Sequence, residues 1–264
     1  MTVRILQRQD APALRYWDDG GEKPPVMLIH GVGADGTSWD RIAAALAPAF
    51  RVLRLDLRGH GQSGHIEGAL TLDDLVRDVV DALNTCAVPA GHIVGFSLGG
   101  MIAQALALQH ADRVQRLVLL SAVAGRTAEE RERVQARLAI LREQGIAAIT
   151  GAAQDRWFTP AFIARNPDLV QRRMLQLREN HAPSYAAAYT VFSTSDLGER
   201  LHAIRVPTLI ATGEHDVGSN TRMARFMHAQ IPGSRLEILP GLRHSILVEA
   251  PELVTRLVRD FLQE

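Results

Sequence analysis

Three polar residues follow apolar runs, in loops where a side chain can meet a ligand. Ser97 lies in "GFSLG" (Gly95 to Gly99), Asp216 in "TGEHDVG" (Thr212 to Gly218) and His244 in "PGLRHSILVE" (Pro240 to Glu249). A serine hydroxyl is a weak nucleophile. It becomes effective when a histidine takes its proton and an acid orients that histidine. The chemistry these residue types support is attack on a carbonyl carbon. The pattern G-x-S-x-G, where a strand turns into a helix, puts its serine on a sharp, strained turn with the hydroxyl above the sheet. A side chain at Gly95 or Gly99 would collide with neighbouring backbone at such a turn. Gly100, Ala103 and Ala107 let the following helix pack closely on the sheet, and its N-terminus brings a positive dipole end beneath the serine. A serine in this place can also act merely as a helix cap. The acid and the histidine downstream weigh against that simpler role.

A second glycine pattern competes. "GVGADG" (Gly31 to Gly36) fits G-x-G-x-x-G, follows an apolar run, and has Asp56 at the end of the next one. That is the form of a dinucleotide fingerprint with its ribose-binding acid. In such a site the helix begins within the glycines and points its N-terminus at the pyrophosphate. Here Gly36, Thr37 and Ser38 read as a turn and cap, with the helix starting near Trp39, so the dinucleotide reading is disfavoured.

The elements that must position these residues alternate in type. Short apolar runs at Val26 to Ile29, Arg51 to Asp56, His92 to Phe96, Val114 to Leu120, Pro207 to Thr212 and Arg235 to Leu239 read as strands. Helical patterns cover Thr71 to Leu83, Leu98 to His110, Asn220 to Gln230 and Pro251 to Leu262. Alternation of this kind predicts an α/β fold with a mostly parallel central sheet flanked by helices. Val3 to Leu6 and Ala13 to Trp17 are expected to form an antiparallel hairpin at its edge. Each candidate residue then falls just past the C-terminal end of a strand, where ligands bind in open α/β sheets.

The alternation stops after the sixth strand. "TAEE" (Thr127 to Glu130) reads as a capping box, and Val134, Leu138 and Leu141 follow on one helix face. "NPDL" (Asn166 to Leu169) reads as a cap with proline at the first helical position, continued by Val170, Met174 and Leu177. Residues 125–199 are therefore expected to form a helical lid inserted into a core made of residues 1–124 and 200–264.

Composition sets outer bounds. The chain has 264 residues, 47% hydrophobic and 22% charged, as in an ordinary globular protein. Lys plus Arg and Asp plus Glu are 29 each, so there is no net charge to favour nucleic acid or an anionic membrane. No run is long and apolar enough for a transmembrane helix. "MTVRILQRQD" lacks the apolar core of a secretory signal, and Cys86 is alone, so a cytoplasmic protein is expected. No His, Cys and carboxylate cluster has zinc spacing, so neither a metal nor another cofactor is expected. Cys86 reads as a packing residue. Arg131, Arg133, Arg137 and Arg142 alternate with glutamates and read as a solvated helix face with local ion pairs.

With these residues in place, the chain resembles the α/β-hydrolase family over nearly its whole length, in the branch with a serine nucleophile. The order serine, acid, histidine is that family's order. "HGVG" (His30 to Gly33) looks like its oxyanion loop and "DLRGHGQS" (Asp56 to Ser63) like the structural loop after the fourth strand. The resemblance implies a catalytic triad of Ser97, Asp216 and His244. It also implies an oxyanion hole from the N–H groups of Val32 and Leu98, with Gly31 against the substrate and His30 supporting the loop. Glu214 is a rival acid two residues before Asp216. Asp216 is favoured because it matches the family position and has the shorter reach. "SAVAG" (Ser121 to Gly125) offers no carboxylate at the other position some members use. In the lid, Trp157 and Phe158 are the candidates for touching substrate, with core packing as the equally weighted alternative.

Within the family, "RGHGQS", "GFSLGGMIAQALAL", "RWFT" and "RHSILVE" look most like 3-oxoadipate enol-lactonases. A small carboxylic ester or lactone, cleaved through an acyl-enzyme, is the implied substrate. Carbon–carbon bond hydrolases of aromatic catabolism, which often carry an aromatic residue where this chain has Ser245, are the alternative. A ligand-binding scaffold without catalysis is a third reading.

Overall fold

The structure is a computed structural model that describes residues 2–264. Eight strands, β1 (Val3–Leu6), β2 (Leu14–Trp17), β3 (Pro25–Ile29), β4 (Arg51–Leu55), β5 (Gly91–Phe96), β6 (Val114–Leu120), β7 (Thr208–Gly213) and β8 (Arg235–Leu239), form one sheet in the order β1-β2-β4-β3-β5-β6-β7-β8. All pairings from β4 to β8 are parallel. The first hairpin is antiparallel, with Val3 opposite Trp17, and β2 joins β4 antiparallel. The expected hairpin and parallel sheet are therefore both present.

Eleven helices are described. They are α1 (Asp40–Leu46), α2 (Leu72–Thr85), α3 (Leu98–Gln109), α4 (Ala128–Gln144), α5 (Ile146–Trp157), α6 (Pro160–Arg165), α7 (Pro167–Arg178), α8 (Ala182–Thr194), α9 (Thr221–Gln230), α10 (Ile246–Glu249) and α11 (Pro251–Gln263). The period-2 alternation of a strand divides the core between the two faces of the sheet. Met27 and Ile29 pack in the layer with α2, α3 and α9, whereas Val26 and Leu28 pack in the layer with α1 and α11. Both faces are covered, which is why the inner strands read as continuous apolar runs.

Helices α4 to α8 all lie between β6 and β7. Thr127 and Glu130 form the expected capping box. Two local expectations are borne out in position and differ in detail. Asn166 takes the N-cap position of α7 with Pro167 first in the helix, but its side chain makes no capping hydrogen bond and its amide donates back to the Phe162 carbonyl at 3.3 Å. The turn at Gly36 to Trp39 is a short 3-10 helix capped by Asp35, and α1 starts at Asp40, next to Trp39.

Close approach explains the glycines at the end of β5. A Cβ at Gly95 would lie 2.2 Å from the Gly99 carbonyl oxygen, and one at Gly99 would lie 2.1 Å from that of Ile29. These neighbours are backbone and cannot rotate away. Gly99→Ala is expected to cost about 3 kcal/mol or more, a drop in melting temperature of roughly 6–12 °C. Gly151→Ala, in a helix with nothing within 4 Å of the new methyl, is expected to stabilise by about 0.5–1 kcal/mol. Paired thermal melts check both, and an unchanged melting temperature for Gly99→Ala contradicts the packing described.

Candidate active site

Ser97 is the single residue between β5 and α3. Its backbone is at φ 54 and ψ −114, a conformation that costs a non-glycine residue about 1–3 kcal/mol. Two backbone hydrogen bonds hold it there. Its N–H donates to the Leu120 carbonyl at 2.9 Å, and its own carbonyl accepts from the Met101 N–H at 3.2 Å. Although Ser97 occupies the N-cap position of α3, its hydroxyl makes no capping hydrogen bond. The side chain is left to the cavity it lines.

Asp216 follows β7 in a tight turn, with its N–H on the Gly213 carbonyl at 3.1 Å. One carboxylate oxygen, Oδ1, accepts the N–H groups of Gly218 and Ser219, each at 2.9 Å. The other, Oδ2, lies 2.6 Å from His244 Nδ1. An ionised carboxylate can only accept, so Nδ1 carries the proton and Nε2 is left as the basic nitrogen. Burial opposes the charge on Asp216. The His244 imidazole and the two N–H groups outweigh it and hold the carboxyl below its ordinary pKa. Glu214 plays no part in this pairing: it is exposed, and its carboxylate accepts the Gly241 N–H.

The loop Gly31 to Gly33 passes close to Ser97. A Cβ on Gly31 would lie 3.0 Å from the Ser97 Cβ. Among the described residues, no acceptor within the protein takes the N–H of Val32 or of Leu98, the first residue of α3. His30 fixes the loop from behind. Its Nε2 accepts the Leu57 N–H at 2.9 Å, so Nδ1 carries the proton that bonds the Gly31 carbonyl at 2.8 Å. Burial pushes its pKa down to about 4, which keeps the ring neutral. Arg173 of α7 clamps the far end by donating to the Gly33 carbonyl at 2.8 Å.

These elements enclose a cavity of about 340 Å³, within the range of small-molecule sites. Ser97, Asp216, His244, Gly31, Val32 and Trp157 all line it. Phe158 does not. Helix α5 ends at Trp157, and Phe158 turns into an extended conformation that buries its ring against Phe162, Val170 and Met174. The solvated-face reading holds for Arg131, Arg133 and Arg142, which are exposed, with Arg133 paired to Glu129. It is corrected for Arg137, which is half-buried, and both Arg133 and Arg137 line the cavity. Arg126, Arg156, Arg173, Tyr185 and Tyr189 join them, none of which the sequence had singled out. A signal was present. Arg137, Arg156 and Arg173 each stand three residues after a buried apolar position, Val134, Ala153 and Val170, and so share the inward stripe of their helices. Cys86 is buried away from the cavity, and burial pushes its thiol up to about 12.

Comparison with known proteins gives one consistent result. A model described as "Alpha/beta hydrolase family" matches residues 26–257. The chain is 30% identical over 254 residues to 3-oxoadipate enol-lactonase 2 of Acinetobacter baylyi, covering 96% of this chain and 94% of that one. Among solved structures, the enol-lactonase from Burkholderia xenovorans superposes with a TM-score of 0.91 at 31% identity, covering 97% of this chain and 98% of that one. A thermophilic esterase from Thermogutta terrifontis, solved with malate bound, gives a TM-score of 0.89 at 26% identity, covering 100% and 98%.

Proposed function

The chain belongs to the alpha/beta hydrolase family, and on that premise we propose that it is a serine hydrolase of a small carboxylic ester or lactone, acting through an acyl-enzyme on Ser97. One observation carries the reading. Ser97 is held in a strained conformation without a capping role, and it faces the same cavity as a histidine whose other nitrogen is fixed by a buried carboxylate. The named relatives and neighbours, two enol-lactonases and an esterase, support the substrate class.

The steps follow from the groups present. His244 Nε2 takes the Ser97 proton as the hydroxyl oxygen attacks the carbonyl carbon. Asp216 holds the ring in the required tautomer and stabilises the imidazolium. The N–H groups of Val32 and Leu98 receive the oxyanion, each contributing roughly 3 kcal/mol to the transition state. His244 then gives its proton to the leaving alkoxide or enolate, which in a lactone stays tethered to the acyl group. It finally activates a water that releases the acid. His30 and Arg173 serve as positioning residues for the loop that carries Val32. Residues 125–199 form the lid of this site over a core of residues 1–124 and 200–264, with Trp157 its aromatic contact to substrate. The lid side chains set specificity. A panel of short aryl esters and lactones, run beside Ser97→Ala, tests the reading: serine-dependent hydrolysis supports it, and turnover by the alanine variant defeats it.

A further inference from the structure

The segment that carries His244 is bound to the lid on both sides of the histidine. An α-helix leaves the carbonyls of its last turn without partners inside the helix. Helix α5 ends at Trp157, and residues beside His244 supply donors to the carbonyls there. Arg243 Nη1 donates to the Asp155 carbonyl and, at 3.1 Å, to that of Phe158. The Ser245 N–H donates to the Trp157 carbonyl at 2.9 Å. Further along, Glu249 accepts the Thr159 N–H at 2.5 Å and the Thr159 hydroxyl at 3.4 Å. A cation at a helix C-terminus also meets the negative end of the helix dipole. The half-buried Arg243 guanidinium is thus spent on carbonyls of the lid.

The sheet holds the same segment from below. The Leu242 carbonyl accepts the His215 N–H at 2.8 Å, and a Cβ on Gly213 would lie 2.3 Å from the Arg243 carbonyl oxygen. The Ser121 hydroxyl donates to the His244 carbonyl at 3.4 Å. Ser121 is itself fully buried at φ 43, a strained backbone for a non-glycine residue. These contacts bear on one side of the segment only. The lid holds the other side, so His244 and Trp157, which line one cavity, belong to one joined unit. Proton transfer from Ser97 needs His244 Nε2 within hydrogen-bond reach, and a displacement of about 1 Å can cost roughly 100-fold in rate.

We propose that Arg243 is a positioning residue for the base: by joining the end of α5 to the segment of His244, it holds Nε2 at its working distance from the Ser97 hydroxyl. The proposal rests on the serine hydrolase reading for its effect on rate but not for its effect on the ring. Arg243→Met keeps the apolar stem and loses the donors, whereas Arg243→Lys keeps one donor group. On a short aryl ester, well below the melting temperature, Arg243→Met is expected to lower kcat about 10- to 100-fold with KM nearly unchanged. Arg243→Lys is expected to recover part of that loss. A role confined to stability would lower the melting temperature and leave kcat alone. That outcome, or a rise in KM at unchanged kcat, overturns the proposal. Proton NMR without substrate reads the ring itself. The Nδ1 proton shared with Asp216 is expected as a sharp downfield resonance in the parent, absent from Asp216→Asn, where the ring lacks that proton. It should broaden or vanish in Arg243→Met and return in Arg243→Lys. A resonance unchanged in Arg243→Met, or missing from the parent, overturns the proposal. A parent that cleaves no ester or lactone while its resonance responds in this way supports the positioning role and defeats the hydrolase reading alone.

Discussion

Ser97→Ala is expected to lower kcat about 10⁶-fold while leaving the fold and melting temperature nearly unchanged. The two halves of that expectation have separate causes. Among the described residues the hydroxyl caps no helix N–H and has no hydrogen-bond partner, so removing it leaves no partner unsatisfied, and the stability change should stay within about 0.5 kcal/mol. The backbone conformation is fixed by the Leu120 and Met101 hydrogen bonds, which alanine keeps. The rate loss is large because the hydroxyl is the atom that bonds to the substrate. Asp216→Asn should cost less, about 10⁴-fold, since an amide can donate to the ring and hold it in the wrong tautomer. Steady-state kinetics on a short aryl ester, with thermal melts on the same preparations, read both. A variant that melts normally and still turns over removes Ser97 from the mechanism.

Mild acid is expected to destabilise the protein steeply, starting well above the range where carboxylates titrate. His30, His60 and His92 are all buried, and burial pushes their pKa values down to about 4, about 3 and about 4. In the unfolded chain each returns to the ordinary value near 6.5. Below that pH the unfolded state binds protons that the folded state refuses, so stability falls as pH falls. Each histidine contributes up to about 1.4 kcal/mol per pH unit until its folded value is reached. Glu130 extends the loss. Its carboxylate is partly buried, yet Arg222 and Asn220 hold it down to about 2, and that stabilisation fades as pH drops below 4.5. Asp56 and Glu249 work the other way. Burial raises both above ordinary values, so protonating them in the fold offsets part of the loss. Against a typical total of about 5–15 kcal/mol, the histidines dominate between pH 6.5 and about 5. The melting temperature should be flat above neutral pH and fall steeply below 6.5. His60→Asn, whose amide can still donate to the Arg58 carbonyl that His60 bonds, should flatten the slope by about a third. A melting temperature independent of pH from 8 to 5 contradicts this account of the buried histidines.

The reactive wall of the cavity was far easier to read from sequence than the opposite wall. Gly95 and Gly99 are constrained by backbone at about 2 Å from an added methyl, and Ser97 between them by its left-handed turn, and such constraints leave a fixed pattern. Asp216 falls just after the fully buried run of β7, and His244 just past β8, whose leucines and isoleucine alternate with Arg235 and Glu237. The inserted helices leave no comparable trace. The inward stripe of α4 carries Val134, Leu138 and Leu141 but also Arg137, and periodicity alone cannot say whether a stripe meets a packed core or a polar cavity. Arg137 was therefore assigned with its exposed neighbours to a solvated face. Phe158 departs for a different reason. It is adjacent to Trp157 in sequence, but α5 ends between them, so the Trp157 ring lines the cavity and the Phe158 ring packs in the small core around Met174. Asn166 had the sequence of a cap, and its side chain found a carbonyl on the preceding helix instead.

The central claim is a covalent bond to one named oxygen. Acid-quenching the protein during steady turnover of 4-nitrophenyl acetate and mapping the acetyl group by peptide mass spectrometry tests it most directly. The prediction is an acetyl group on the peptide containing Ser97, at Ser97 itself, and none in Ser97→Ala. Steady turnover with that peptide unmodified, or with the acetyl group on another residue, would contradict it.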